Sequence, residues 1–288
     1  MTDEAAVWVD CACEVGEGPL WHAAEQRLYW VDIPAGRLYW HTPGTGETGA
    51  FDAGSAVGGF TIQADGALLL FMARGAVRLW RAGQMTDVIR ELPDELDNRF
   101  NDVVADPEGR VFCGTMSTPS RAGRLYRLDP DRTLTRCLDG VGTSNGIGFT
   151  PDRCGLYYTD TRRLAIDRFD YDRASGAITN RRVFVRVPEE EGHADGLTVD
   201  AEGCVWSARW GGGCVVRYSP DAEPILRLRL PVPRVSSLTF GGPDYTDLFV
   251  TTAGGNDRAQ NGPQAGSVFR ANLGIRGVPE FVSRIAIP

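Results

Sequence analysis

One short pattern recurs six times along the chain at nearly constant spacing, and an internal repeat of this kind leaves few folds open. The pattern is a polar turn followed by a run of β-branched, aromatic or aliphatic residues. Its copies are Arg27-Leu28-Tyr29-Trp30-Val31, Ala67-Leu68-Leu69-Leu70-Phe71, Arg110-Val111-Phe112-Cys113, Gly155-Leu156-Tyr157-Tyr158-Thr159, Cys204-Val205-Trp206-Ser207 and Asp247-Leu248-Phe249-Val250. Turns such as Ala64-Asp65-Gly66, Asp106-Pro107-Glu108-Gly109 and Asp200-Ala201-Glu202-Gly203 precede several copies, and Asp with Gly favours tight hairpins. The first apolar residues, Leu28, Leu68, Val111, Leu156, Val205 and Leu248, are separated by 40, 43, 45, 49 and 43 residues. A second strand follows each copy, usually opened by glycine, as in Gly36-Arg37-Leu38-Tyr39-Trp40 and Gly123-Arg124-Leu125-Tyr126-Arg127. With one strand before and one after, each unit has four.

Four-stranded units at this period predict an all-β fold, a six-bladed β-propeller with four-stranded antiparallel blades, in a single domain over residues 1–288. No stretch of a dozen residues carries a 3.6-residue apolar period, which disfavours α/β folds. A pair of β-sandwiches or a β-helix is the alternative, but a unit of about 43 residues is too long for one β-helix coil. The run Ala6-Val7-Trp8-Val9-Asp10 is left over and is expected to pair with the last blade, closing the ring and removing exposed sheet edges.

Composition excludes several functions. The chain has 288 residues, a net charge of −8 and no basic cluster, which argues against nucleic-acid binding. All 30 basic residues are arginine, so neither a Schiff-base lysine nor a phosphate loop of the G-x-x-x-x-G-K type is available. The seven cysteines form no C-x-x-C motif and the three histidines (His22, His41, His193) lie far apart, as expected for buried thiols in a reducing compartment. The start has no basic segment, and the longest clean apolar run, Ala67 to Ala73, is short. The expectation is a cytoplasmic protein with neither signal peptide nor membrane span, and with no obligate protein partner.

The repeat also selects candidate site residues. In a propeller the innermost strands surround a central channel, and residues just before them lie at one mouth. Counting back ten or eleven from the anchors reaches Glu17, Val57 or Gly58, Asn101, Asn145, Asp195, and Ser237 or Leu238. Two carboxylates and two amides around one axis call for a compensating cation or proton, because like charges repel. Oxygen-only ligands suit a hard divalent ion such as Ca²⁺, Mg²⁺ or Mn²⁺.

These residues sit in the strings Gly16-Glu17-Gly18-Pro19-Leu20-Trp21, Asn98-Arg99-Phe100-Asn101-Asp102, Phe112-Cys113-Gly114-Thr115-Met116, Ser144-Asn145-Gly146, Ala194-Asp195-Gly196 and Trp206-Ser207-Ala208-Arg209-Trp210-Gly211-Gly212. In these strings and their order the chain resembles the senescence-marker-protein (regucalcin), gluconolactonase and luciferin-regenerating-enzyme family. The resemblance implies a single divalent metal held by Glu17, Asn145 and Asp195, with Ca²⁺ foremost and Zn²⁺, Mn²⁺, Mg²⁺ or Fe²⁺ open. It implies that Arg99 and Asn101 contact substrate, that Asp195 doubles as catalytic base, and that the substrate is a small-molecule sugar lactone. In regucalcin-like members a Glu shortly after the Gly-Thr-Met string also contacts substrate. Here that stretch reads Ser117-Thr118-Pro119-Ser120, so this contact does not carry over.

Lactone hydrolysis needs water to attack a carbonyl, a cation to polarise it, and a base, which typically contributes ~10²–10⁴-fold. A carboxylate on a cation is a weaker base, so water activated by the ion competes with Asp195 for that role. The second strand of each blade returns to the same mouth, which places Met116, Asp160, Arg162 and Arg209 at the rim. Arg209 is the candidate contact for a substrate carboxylate, as in an aldarate or uronate lactone rather than an aldonolactone such as xylono- or gluconolactone. The loop from Ala253 to Ala265 is a candidate rim or lid, and Glu189-Glu190-Glu191 a candidate guard. Gly142-Thr143-Ser144-Asn145-Gly146 fits the G-x-S-x-G string but lacks a following helix, so Ser144 is read as a turn residue. His193 reads as a loop histidine, and Cys11 and Cys13 as packing residues. Two rival readings remain: a calcium-binding regulatory propeller with little catalysis, and an interaction scaffold in which Glu17 and Asp195 are replaceable.

Overall fold

The computed structural model describes residues 4–288. It holds six four-stranded antiparallel sheets arranged as the blades of a propeller. Blade 1 comprises Gly16–His22, Arg27–Asp32, Arg37–Thr42 and Glu47–Asp52. The innermost strands of blades 2 to 6 are Val57–Ile62, Phe100–Ala105, Ser144–Phe149, His193–Val199 and Val235–Gly241. Each inner strand packs beside those of the two adjacent blades, so the six close a ring. The fourth strand of blade 6 is the N-terminal Ala6–Val9, which pairs with Val268–Asn272 as the leftover run predicts. Among the described residues the single α-helix is the short Arg258–Asn261, and no helix is long and apolar enough to cross a membrane.

The repeat is visible in the sequence because the second strand of each blade is apolar on both faces. Successive strand residues point to opposite faces. In blade 1, Leu28 and Trp30 face the seam with blade 6, beside Trp21, Phe249 and Val268. Tyr29 and Val31, one residue out of phase, face blade 2 with Phe60, Leu68 and Leu70. Leu69 and Phe71 then face blade 3 with Phe100, Val111 and Cys113. The remaining three interfaces are filled in the same way, one apolar cluster for each pair of adjacent blades. Fully burying one such side chain contributes roughly 1.5–3 kcal/mol, so the wedge between two blades is the main cohesive unit.

The C-terminal stretch after Asn272 adds a feature outside the repeat. It crosses the mouth at the far ends of the inner strands. The Arg276 carbonyl accepts from Ala201 N in blade 5, Ser283 exchanges bonds with Ile62 and Ala64 in blade 2, and Arg284 N donates to Gly109 O in blade 3. This strap covers one end of the channel and leaves the other end open.

Candidate active site

All six inner strands break register with their neighbours near the start: between Glu17 and Leu20, Val57 and Gly59, Phe100 and Val103, Ser144 and Ile147, Ala194 and Leu197, and Val235 and Ser237. Such irregularities re-aim side chains. In four blades the re-aimed stretch carries Glu17, Asn101, Asn145 or Asp195. Glycines beside them let the inner strands approach closely. A Cβ on Gly146 would lie 2.4 Å from Leu197 N, and one on Gly196 would lie 2.2 Å from Ser237 Oγ. Any larger residue at either position would push two blades apart at the axis.

The four residues face one cavity of about 640 Å³ at the open mouth. Arg99, Met116, Arg162 and His193 also line it, together with Val15, Ile33, Leu164 and Trp210. Apolar walls over a polar floor suit a small ring with one polar face.

The floor is electrostatically unusual. Glu17 and Asp195 are each only about 5% exposed or less. Glu17 accepts one hydrogen bond, from Gly18 N at 3.0 Å, and among the described residues no donor reaches the Asp195 carboxylate. Burial, and then the charges of Asp195 and Asp102, hold Glu17 well above the usual carboxylate range. Burial, and then the charge of Asp102, does the same for Asp195, with Arg99 opposing. Asp102, deeper in the channel, is pushed up to about 7 by burial against the pull of Arg99.

The amides are ordered by a directional chain of hydrogen bonds. Arg99 Nη1 donates to Asn101 Oδ1 at 2.6 Å and to Phe100 O at 2.9 Å. Asn101 Nδ2 donates to Asn145 Oδ1 at 2.6 Å and to Ser144 O at 2.7 Å. Asn145 Nδ2 donates to Thr161 Oγ1 at 2.7 Å, and that hydroxyl donates to Ala194 O at 2.8 Å. The Asn145 oxygen is therefore turned away from Thr161, on the side of the cavity floor where Asn101 lies.

Two carboxylates starved of donors, beside an ordered amide oxygen, form a set of hard oxygen ligands. A divalent ion there would offset the burial and the like charge that raise both carboxyls, so the residues fit the metal that the resemblance implies. Among the described residues no three histidine, cysteine or carboxylate side chains group as a metal site, so an ion here would need the amide oxygen as well.

Other sequence expectations need correction. Arg209 does not line the cavity. It is fully buried, with Nη1 bonded to Ser207 Oγ and Nη2 donating to Tyr218 OH at 2.6 Å, and its guanidinium lies over the Tyr218 ring. Trp210, its neighbour on the opposite strand face, reaches the cavity instead. Asp160 is also buried, accepting from Gly142 N and Thr143 N, both at 3.2 Å. The 253–265 loop does not border the cavity, and of the three glutamates only Glu189 does. His193 lines it, unlike an ordinary surface-loop histidine. Ser144 opens a strand rather than a helix and is fully buried, so no nucleophile elbow exists here. Thr161, which the repeat does not flag, lies in the one-turn segment Thr161–Arg163 after the second strand of blade 4.

Comparison with known proteins gives the family. Residues 15–254 match the family model described as the SMP-30/Gluconolactonase/LRE-like region. The chain belongs to this family. Among family relatives, it is 47% identical to the pentonolactonase XacC of Haloferax volcanii over 97% of this chain and 98% of that protein. It is 34% identical to regucalcin of Xenopus laevis, over 92% and 93% of the two chains. A crystal structure of a calcium-binding regucalcin from Agrobacterium tumefaciens superposes with a TM-score of 0.91 at 28% identity, covering 98% of each chain.

Proposed function

We propose that this protein hydrolyses sugar lactones to the open sugar acids, using a divalent ion held by Glu17, Asn145 and Asp195. The observation that carries this reading is the pair of buried carboxylates, Glu17 and Asp195, left almost without hydrogen-bond donors on the floor of an accessible cavity. The pentonolactonase, similar along the whole chain, supports a lactone of a five-carbon sugar within that class.

When bound, a divalent ion supplies Lewis-acid polarisation of the lactone carbonyl and stabilises the negative charge that develops on its oxygen. The chain's own residues do the rest. Asp195 has no donor to satisfy, so one of its oxygens is free to take the proton of the attacking water. Both amide hydrogens of Asn101 are committed to Asn145 and Ser144, which leaves a lone pair on Oδ1 to accept from a sugar hydroxyl. Arg99 spends Nη1 on Phe100 and Asn101 and keeps its other nitrogens for ring or carboxyl oxygens of the substrate. Val15, Ile33, Leu164 and Trp210 present apolar surface to the C–H face of the sugar and exclude water from it. Arg209, buried against Tyr218, does not reach the substrate cavity. A calcium-binding protein with little turnover is the second reading, favoured by the likeness to regucalcins. Calcium is accordingly the first ion to test.

The test is lactone hydrolysis followed with a pH indicator, after chelation and after adding back each divalent ion. Xylono-, glucono-, galactono- and glucarolactones form the panel. Turnover that requires an ion and disappears in Asp195→Ala is expected. Ion binding without turnover on any lactone would favour the regulatory reading.

A further inference from the structure

We propose that Thr161 is a positioning residue for the ion: its hydroxyl, pinned to the Ala194 carbonyl, fixes which face of the Asn145 amide the site presents. This rests on the reading of Asn145 as a ligand. A hydroxyl carries one proton, and Thr161 gives it to Ala194 O at 2.8 Å. Only its lone pairs remain for Asn145, so only an N–H can face it, at 2.7 Å. At the other end, Arg99 is purely a donor and fixes Asn101 Oδ1 toward itself, so that Asn101 presents its N–H₂ to Asn145. The chain therefore starts at a group that can only donate and ends at a carbonyl that can only accept. Turning either amide over would set donor against donor or acceptor against acceptor. A cation needs the amide oxygen. The flipped amide would offer it N–H dipoles of the wrong sign.

Thr161 also links two ligands. It is bonded to Asn145 in blade 4 and to the carbonyl immediately before Asp195 in blade 5. Its backbone N donates to Thr143 O at 3.1 Å, which holds the turn in place independently of the hydroxyl. Removing the hydroxyl alone should therefore leave the turn intact.

The test compares Thr161→Val, which keeps the shape and loses the hydroxyl, with Thr161→Ser, which keeps the hydroxyl. Calorimetric titration of the metal-stripped proteins with Ca²⁺ and with Mn²⁺ measures affinity directly. Loss of a group that orients a metal ligand typically costs ~10–100-fold in affinity, and that loss is expected for the valine variant. The serine variant should bind within about threefold of wild type, since its hydroxyl makes the same two bonds. The melting temperatures of both metal-free variants should match wild type. Wild-type affinity in Thr161→Val would overturn the proposal. So would equal losses in both variants with lowered metal-free melting temperatures, which would mark a structural role. A wild-type protein that binds no divalent ion would instead overturn the ligand reading itself.

A second observation is independent of the site. We infer that Cys11 and Cys13 form an oxidisable dithiol where the chain passes from blade 6 to blade 1. Their sulfurs lie 3.4 Å apart. Ala12 between them has φ of +49°, a left-handed conformation uncommon for alanine, and the chain bends there with both thiols together on one side. Cys11 is half-buried and Cys13 fully buried, so the pair has one accessible member. The Cys13 thiol beside it holds the Cys11 thiol below its ordinary range.

With a hydroperoxide as oxidant, the Cys11 thiolate attacks the peroxide oxygen, giving a sulfenic acid and releasing the alcohol, or water from hydrogen peroxide. The Cys13 sulfur then displaces water from it. Two thiols lose two electrons and two protons, and the peroxide is reduced. The sulfurs must close to about 2.05 Å, a small movement. The bond from Cys11 Sγ to Gly266 O at 3.2 Å would be lost.

The test uses Cys137→Ser with Cys154→Ser, which removes two other accessible thiols. Hydrogen peroxide should lower the intact mass by about 2 Da, reversibly with a thiol reductant, and not in the further variant Cys11→Ser. A gain of about 16 or 32 Da at Cys11 without the 2 Da loss, or no change, would overturn it.

Discussion

The two ends of one inner strand carry two buried aspartates with opposite surroundings. In blade 5, Asp195 lies near the start of His193–Val199, and Asp200 directly follows its end. Asp200 is completely buried yet saturated. It accepts from Glu202 N at 2.9 Å, Cys204 N at 3.0 Å, Trp206 Nε1 at 2.8 Å and Arg217 Nε at 2.8 Å. Asp195, only five residues away, receives no donor among the described residues. Blade 3 repeats the contrast. Asp106, directly after the inner strand, takes bonds from Glu108 N, Arg110 N, Arg110 Nη1 and Tyr171 OH, whereas the half-buried Asp102 within that strand takes none among the described residues. Burial alone does not distinguish a structural acid from a functional one. In blade 5 the count of donors separates the two, because a buried charge without partners is costly unless a proton or a cation compensates it.

The largest expected effect breaks this contrast at the open mouth. Asp195→Asn should lower lactone turnover by at least ~10³-fold, since it removes a ligand and the base together. The same change should leave the metal-free melting temperature equal or higher, because it deletes a buried, unpaired charge. Kinetics and a melting curve on one preparation check both halves. Asp200→Asn should do the reverse. It should lose about 2–4 kcal/mol of stability in denaturant titrations, because Arg217 is left with a weakened partner and a buried network is broken. Turnover per folded molecule should stay within about twofold of wild type, in line with a structural role far from the chemistry.

The pH dependence sharpens the same distinction. Glu17, Asp102 and Asp195 all have folded-state pKa values raised above their unfolded ones, Asp102 to about 7. The folded protein then holds protons that the unfolded chain has already lost. The stability this gives is complete below the unfolded pKa of about 4 and disappears as pH rises through the folded values. Metal-free protein should therefore lose on the order of 2 kcal/mol between pH 5 and pH 8. Saturating Ca²⁺ should flatten that slope, as thermal melts with and without the ion would reveal.

The smallest effect lies at the covered mouth. Glu280, on the C-terminal strap, is pushed up to about 7 by burial. It should weaken the fold as pH rises from about 4.5 through 7, by the same sign. Glu280→Gln should recover on the order of 1 kcal/mol at pH 8 and nothing at pH 4, with turnover unchanged.

The sequence made the propeller legible because a second strand apolar on both faces, such as Leu28 to Val31, repeats at fixed spacing. It made the four-residue floor legible because those residues share one register in that repeat. Arg209 was misplaced for the same reason of period. One residue's shift along a strand exchanges faces, and the cavity face belongs to Trp210. Thr161 was invisible because its role is the direction of a single proton in a one-turn segment, which no spacing encodes. The strap after Asn272 was invisible because it lies outside the repeat and pairs with loops of three different blades.

The ion site is tested most directly by calorimetric titration of the metal-stripped protein with Ca²⁺ at pH 7, in two buffers of different ionisation enthalpy. If the floor carboxylates are raised by burial and by neighbouring carboxylates, one ion should bind per chain with net release of protons to the buffer. Both signals should vanish in Asp195→Asn and persist in Asp200→Asn. Binding without proton release, or binding that survives Asp195→Asn unchanged, would contradict the claim that these donor-starved acids form the ion site.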